Sequence, residues 1–284
     1  LDGRAVGASE HDRGPLDIDP DVFMRQIEVN ANGRVMRELE RQEGDPGADV
    51  QLTLDHGLQN FAMARMQYES AAAVVMDVNN GDILAITSTP SFDPNKFVHG
   101  ISGADYRTLT ESKYRPLADK SVQGTYPPGS TFKMMVALAG LEHGVIQPND
   151  TQRCRGFTTL GNRKFHCWKR GGHGNVDLET SLRRSCDVYY YELARKVGID
   201  KIAEMAERFG FGAVTNIELT GERAGLVPTK AWKESVIGES WLGGETLNVS
   251  IGQGYMLATP MNQAMPIYTP PVSRNQVNAP LPSQ

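Results

Sequence analysis

Apolar and polar positions alternate along residues 26–53, and the alternation breaks at Asn32-Gly33, which predicts strands with a turn between them. Gly44-Asp45-Pro46-Gly47 reads as a further turn. Asp55 is placed to cap a helix reaching about Tyr68. Two apolar runs, Ala71–Val78 and Ile83–Ser88, are joined by Asn79-Asn80-Gly81-Asp82 and predict a β-hairpin. From Ser130 the period changes to that of helices, expected over residues 130–143, 178–184, 188–197 and 199–209. Gly198 and Gly210 are read as stops. The pattern is one of strands around a helical cluster, with no internal repeat or coiled-coil heptad.

Composition changes this picture little. Of the 284 residues, 39% are hydrophobic, enough for a sizeable core, and length alone permits one large or two smaller domains. The net charge of −5 gives no reason to expect a nucleic-acid partner. Arg163-Lys164 and Lys169-Arg170 are short basic pairs and read as a solvated face. No run of 18 apolar residues is present, so no membrane span is expected within this sequence, and no signal peptide precedes the first charges. Residues 1–25, dense in Asp, Gly, His and Pro, read as a solvated loop.

The candidate chemistry begins at Ser130-Thr131-Phe132-Lys133, directly after Tyr126-Pro127-Pro128-Gly129. Residues three apart share one helix face, so the serine hydroxyl and the lysine amine can meet. The prolines and glycine cannot continue a helix backward and mark its start, and the apolar run Phe132–Leu141 carries it into a core. A hydroxyl at a helix N-terminus faces N–H groups that favour a developing oxyanion. A lysine one turn away, taken out of water, can act as the base that receives the serine proton. Against this stands the bland reading of a capping serine and a surface lysine. Ser185-Cys186-Asp187 follows between two predicted helices and could supply a second hydroxyl and a polar anchor for the lysine and the substrate amide. Ser91-Phe92-Asp93 has the same spacing, but Pro90 and Pro94 frame it as a loop. No Gly-rich loop runs into a Lys-Ser/Thr helix start, so a phosphate-binding reading fails.

Three cysteines and a histidine form a second constellation, Cys154-x12-Cys167-x5-His173-x12-Cys186. Three thiolates and an imidazole could complete a tetrahedral zinc site. A Cys154–Cys167 disulfide with a buried Cys186 is the rival, and three core thiols are a third possibility. For a lone histidine such as His166, a structural role is the default. Tyr189, Tyr190 and Tyr191 read as core and groove wall, not as catalytic acids.

Taken together, these motifs resemble the transpeptidase region of class B penicillin-binding proteins, within them the elongation-type group, penicillin-binding protein 2. The resemblance runs from about Ile27 to Asn262 and includes Glu28-Val29-Asn30, Leu52-Thr53-Leu54-Asp55, Ser88-Thr89-Pro90-Ser91-Phe92-Asp93-Pro94-Asn95, Trp168-Lys169, Gly172-His173-Gly174, Ser185-Cys186-Asp187-Val188-Tyr189-Tyr190-Tyr191 and Ile251-Gly252-Gln253-Gly254-Tyr255. It implies an α+β fold, the penicillin-binding-protein transpeptidase (serine β-lactamase-like) fold. It further implies a D,D-transpeptidase that cross-links peptidoglycan stem peptides ending in D-Ala–D-Ala during cell elongation, and that β-lactams acylate. By the same resemblance Ser130 is the nucleophile, Lys133 its general base, Ser185 the proton relay and Asp187 the third position of the second motif. Gly252, Gln253 and Gly254 would form a tight turn near the active site. Some elongation-type relatives bind zinc at matching positions, sometimes through aspartates instead of cysteines, so the resemblance favours a structural zinc on Cys154, Cys167, His173 and Cys186. Membrane proteins of the elongation complex are the implied partners. The implied location is the periplasmic face of the inner membrane, with the anchor not in this chain.

The chain departs from that pattern in one motif. No Lys-Thr-Gly, Lys-Ser-Gly or His-Thr-Gly occurs anywhere in it. That motif's strand supplies an oxyanion-hole N–H, whose loss alone costs ~10²–10³ in rate. The expected layout is therefore truncated at both ends. Residues 1–50 would be the end of an N-terminal pedestal (dimerisation-type) domain, 51–263 the transpeptidase domain, incomplete without its third motif, and 264–284 a Pro-rich polar tail. From Ala264 through Pro266 to Pro270-Pro271 the sequence is expected to form neither a helix nor a central strand. Two alternatives to an active enzyme stand beside the first reading: a β-lactam receptor domain acylated without turnover, and a non-catalytic interaction module.

Overall fold

The computed structural model describes residues 24–29, 35–42, 50–98 and 100–268. It divides into two compact units, residues 1–52 and 53–284. In the first unit β1 (Met24–Val29) pairs antiparallel with β2 (Val35–Gln42). Glu28 and Arg37 are partners in this register, and the Arg37 guanidinium donates to the Glu28 carboxylate at 2.5 Å. The expected turns at Asn32-Gly33 and Gly44–Gly47, the leading loop and the tail beyond Tyr268 lie outside the described residues.

The second unit opens with α1 (His56–Met66), capped as expected by Asp55, whose carboxylate accepts the Leu58 N–H at 2.8 Å. β3 (Ala71–Met76) and β4 (Ile83–Thr89) form the expected hairpin, closed by a turn in which Gly81 takes φ 85°. The far edge of β4 does not stay bare. The Gln59 amide of α1 donates to the Ile86 carbonyl at 2.7 Å and accepts the Ile86 N–H at 2.9 Å, as a neighbouring strand would. Two short helices follow, α2 (Asn95–Val98) and α3 (Gly103–Thr110), the latter capped by Ser102.

The core is helical. A 3₁₀ turn, Gly129–Phe132, leads into α4 (Lys133–Glu142), whose Met135, Val136, Ala137 and Ala139 are all buried. Two small sheets come next, β5 (Gln152–Cys154) with β8 (Gly174–Val176), and β6 (Phe157–Leu160) with β7 (Arg163–His166). Then α5 (Leu178–Arg183), α6 (Asp187–Val197) and α7 (Ile199–Arg208) pack with α4. Gly198, at φ 84°, ends α6, and Gly210, at φ 85°, follows α7. Gly140 lets α4 approach α6 closely, because a Cβ there would come within 2.9 Å of Leu193. The three tyrosines of α6 are buried, as expected of core positions, and burial raises their phenol pKa values, Tyr189 to about 12. The Arg163-Lys164 and Lys169-Arg170 pairs are exposed, as expected of a solvated face.

α8 (Lys230–Val236) and α9 (Gly243–Ser250) are tied by buried Lys233, which donates to Glu245 at 2.7 Å. The chain ends its described part in α10 (Pro260–Tyr268), which packs on β3. This corrects the expectation that the sequence from Ala264 cannot be helical, since the helix runs through Pro266. The start of α10 explains it. Proline at the first helical position costs nothing, and Thr259 and Asn262 cap reciprocally: the Asn262 N–H donates to the Thr259 hydroxyl at 3.0 Å, and the Thr259 N–H to the Asn262 amide oxygen at 3.1 Å. Pro266 lies only two residues before the end of the helix. The mixed architecture is the α+β one expected.

Candidate active site

Ser130 is exposed on the 3₁₀ turn and Lys133 is buried at its end, 1% exposed. The turn is tightened from both sides. The Lys133 N–H donates to the Ser130 carbonyl, and the Thr131 hydroxyl donates to the Pro128 carbonyl at 2.8 Å. The sequence reading placed Ser130 on an α-helix. The 3₁₀ geometry gives three residues per turn and so puts Lys133 almost directly below Ser130.

Ser185 and Asp187 reach this pair across more than fifty residues of sequence. They do so because α5 ends in a Schellman motif. The Ser185 N–H donates to the Leu182 carbonyl at 3.0 Å, and the Cys186 N–H to the Ser181 carbonyl at 2.9 Å. Ser185 occupies the left-handed position of that motif with φ 49°. The chain then turns directly into α6, whose first residue is Asp187.

The four side chains form one connected set. The Lys133 Nζ donates to the Ser185 Oγ at 2.9 Å, to the Ser185 carbonyl at 3.0 Å and to the Asp187 Oδ1 at 2.7 Å. The Ser185 Oγ donates to the Ser130 Oγ at 2.8 Å. The hydrogen-bonded path from Ser130 to Lys133 therefore passes through Ser185, where the sequence reading let Lys133 take the Ser130 proton directly. A hydroxyl both donates and accepts. If Lys133 gives up one proton, the chain can reverse, with Ser130 donating to Ser185 and Ser185 to Lys133. The arrangement can thus make a nucleophile of Ser130 and return the proton afterwards.

Two features were not legible in the sequence. The Trp168 N–H donates to the Asp187 Oδ2 at 2.9 Å, leaving Oδ1 to face Lys133. Its indole N–H donates to the Ser185 and Arg184 carbonyls, each at 3.1 Å. Trp168-Lys169 stood out in the sequence only as a matching dipeptide, with no signal of this contact. The second feature is the close approach of Gly252 to Gly129, within the expected turn, where the Gly129 N–H donates to the Gly252 carbonyl at 2.9 Å.

The cysteines and His173 come together beside this site. Cys154, Cys167, His173 and Cys186 are all buried, and their ligand atoms lie within 4.8 Å of one another. The His173 Nδ1 sits 3.7 Å from the Cys154 Sγ and 3.5 Å from the Cys167 Sγ. Gly156 and Gly172, both at positive φ, let the two loops close on each other: each lies against the other loop's backbone, where no side chain would fit. All three cysteines are free thiols, with no Cys154–Cys167 disulfide. The Cys167 thiol is lowered to about 5, chiefly by the hydrogen bond from Cys186, whose own pKa that bond and burial raise. His166 is not part of the group; its ring lies 6.1 Å from that of Phe157.

Residues 71–269 match the penicillin binding protein transpeptidase domain family. The chain is 40% identical over 274 residues to the peptidoglycan D,D-transpeptidase MrdA of Escherichia coli K12, which covers 93% of this chain and 43% of that protein. The crystal structure of Pseudomonas aeruginosa PBP2 in complex with WCK 5153 matches with a TM-score of 0.75 and 43% identity, over 78% of this chain and 51% of that one. PBP2 of Helicobacter pylori, in its complex with MreC, matches with a TM-score of 0.75 and 36% identity, over 85% of this chain and 46% of that one. The chain thus spans less than half the length of this curated relative.

Proposed function

The chain belongs to the penicillin-binding protein transpeptidase family, and on that premise we propose that the protein carrying it is an elongation-type peptidoglycan D,D-transpeptidase. The observation that carries this reading is the continuous path Ser130 Oγ–Ser185 Oγ–Lys133 Nζ, 2.8 and 2.9 Å. Ser130 is the nucleophile, Ser185 the relay, and Lys133 the base, held by Asp187. The Ser130 Oγ attacks the carbonyl between the two D-alanines as its proton passes through Ser185 to Lys133. The peptide C–N bond breaks, and the terminal D-Ala leaves as an amine with the proton returned along the same path. An amine of a second stem peptide then attacks the ester, forming a new C–N bond and freeing Ser130. A β-lactam enters the same first step, but its opened ring stays attached, so the acyl group remains on Ser130.

Substrate chemistry sets the location. The proposed location is the periplasmic face of the inner membrane, the side on which the peptidoglycan substrate lies. Among the described residues no helix is long and apolar enough to cross a membrane. The proposed partners are elongation-complex membrane proteins, of which the MreC bound to the Helicobacter protein is the example.

Zinc is proposed on Cys154, Cys167, His173 and Cys186. Their fit rests on four buried donors of the right type, drawn together with the His173 Nδ1 turned toward two sulfurs. A bound zinc would be structural, with a closed shell, and would brace the strand and loop that precede Ser185 and Asp187.

The test is intact-protein mass after incubation of the full-length protein with a penicillin. One adduct is expected, absent in Ser130→Ala. An adduct that persists in the alanine variant overturns the assignment, and acylation without cross-linking of stem peptides would leave only a receptor role.

A further inference from the structure

We propose that Trp168 is a positioning residue for acyl transfer: its indole N–H holds the Ser185 backbone so that the Ser185 hydroxyl stays between Ser130 and Lys133. This rests on the transpeptidase reading of the site.

The need for such a hold follows from the backbone. Ser185 lies at φ 49°, in the left-handed region, where a side chain is strained. The usual residue at this position of a Schellman motif is glycine. Glycine would relieve the strain but remove the hydroxyl from the relay. The strained conformation must therefore be held by neighbours. Within the backbone, the two bonds of the Schellman motif contribute, the Ser185 N–H to Leu182 at 3.0 Å and the Cys186 N–H to Ser181 at 2.9 Å. The Ser185 carbonyl accepts two further bonds, from the Lys133 Nζ at 3.0 Å and the Trp168 indole at 3.1 Å.

These two holds are not equivalent. Lys133 changes charge during the reaction, and a hydrogen bond from an ammonium is stronger than one from a neutral amine. Its grip on the Ser185 carbonyl is therefore weakest while Lys133 is the neutral base, just before the relay operates. The indole N–H donates but cannot accept, and it does not titrate. It keeps the same bond throughout and offers no side path for the proton.

The placement of Trp168 fits this role better than a packing role. The residue is 65% exposed, so its ring is not there to fill the core. One edge of it meets the His173 ring at 5.3 Å, which sets the plane of the indole. Its backbone N–H is separately engaged by Asp187, so replacing the side chain leaves that contact available.

The experiment measures acylation of the full-length protein by a penicillin in stopped flow, separating the first-order acylation rate constant from the dissociation constant of the initial complex. In Trp168→Phe, which keeps a ring and loses the N–H, the rate constant should fall about five- to tenfold, the scale of one lost hydrogen bond. The dissociation constant should stay within about twofold, and the melting temperature should be unchanged. In Ser185→Ala the residual acylation should be indifferent to Trp168→Phe, because both changes act through one hydroxyl. An analogue with sulfur in place of the indole nitrogen should behave like Trp168→Phe. An unchanged rate constant in Trp168→Phe would overturn the proposal, as would a loss carried only by the dissociation constant. Full additivity with Ser185→Ala would also overturn it, since a general structural role predicts that result. A wild-type protein that takes no label overturns the transpeptidase reading instead.

Discussion

Gly252 lies against the backbone of Gly129, accepts its N–H at 2.9 Å, and leaves no room for a Cβ between them. Gly129 is the first residue of the turn that presents Ser130. A loop more than a hundred residues downstream therefore sets the height of the nucleophile. Gly252 also has φ 67°, so a side chain there is strained as well as crowded. Gly252→Ala should destabilise the protein by about 1–3 kcal/mol. It should also slow acylation about 10²-fold, as expected when a reacting atom is displaced by about 1 Å. Thermal unfolding and penicillin labelling check the two effects separately.

Lys133→Arg tests the base. Arginine keeps the positive charge beside Asp187 but does not give up its proton. Acylation of Ser130 should fall to the level of Lys133→Ala, while the circular dichroism spectrum stays native. Labelling at an undiminished rate would mean that another group activates Ser130.

The Lys133–Asp187 pair, 2.7 Å apart with side chains 2% and 12% exposed, should behave as a buried ion pair. Removing one member leaves the other charge in a poorly solvated place, at a cost of about 3–5 kcal/mol. Asp187→Ala should therefore lower stability by that order. The double change Lys133→Met with Asp187→Leu should regain much of it while remaining inactive. Denaturant unfolding of the three proteins provides the comparison.

The cysteine–histidine group makes a separate prediction. If it holds zinc, the purified protein should contain about one equivalent by elemental analysis, and chelation should lower the melting temperature, because binding free energy is folding free energy. Cys154→Ser should reduce the metal content and increase hydrogen exchange around Ser185 while leaving Ser130 in place. A metal-free protein with a Cys154–Cys167 disulfide in its peptide map would refute the site.

What was legible in the sequence was mostly local. The Pro127-Pro128-Gly129 break, the Asp55 cap and the Asn80-Gly81 turn act on residues a few positions away, and each appears where expected. The Ser130–Lys133 pair was readable for the same reason. Trp168 was not, because its two carbonyl partners lie 16 and 17 residues away, beyond a sheet and a helix. The relay role of Ser185 was expected from the resemblance, but the geometry that places its hydroxyl was hidden, since it depends on one left-handed residue closing α5. The end of α10 was misread because proline was weighed as a helix breaker, whereas Thr259, Pro260 and Asn262 form a strong start only a few residues earlier. The four proposed zinc donors were countable in advance; their convergence depended on Gly156 and Gly172, whose roles are visible only when the two loops meet.

The left-handed backbone at Ser185 also limits what this position can become. By chemistry alone, threonine would serve as well as serine, since its hydroxyl donates and accepts in the same way. By backbone alone, glycine and asparagine would be at home, since both enter the left-handed region readily. A β-branched side chain does not, so threonine is excluded by conformation, while glycine lacks the hydroxyl. Two independent filters, one on the main chain and one on the proton path, thus overlap at serine. Any lineage that carried threonine here would have to rebuild the end of α5 before it could use the hydroxyl.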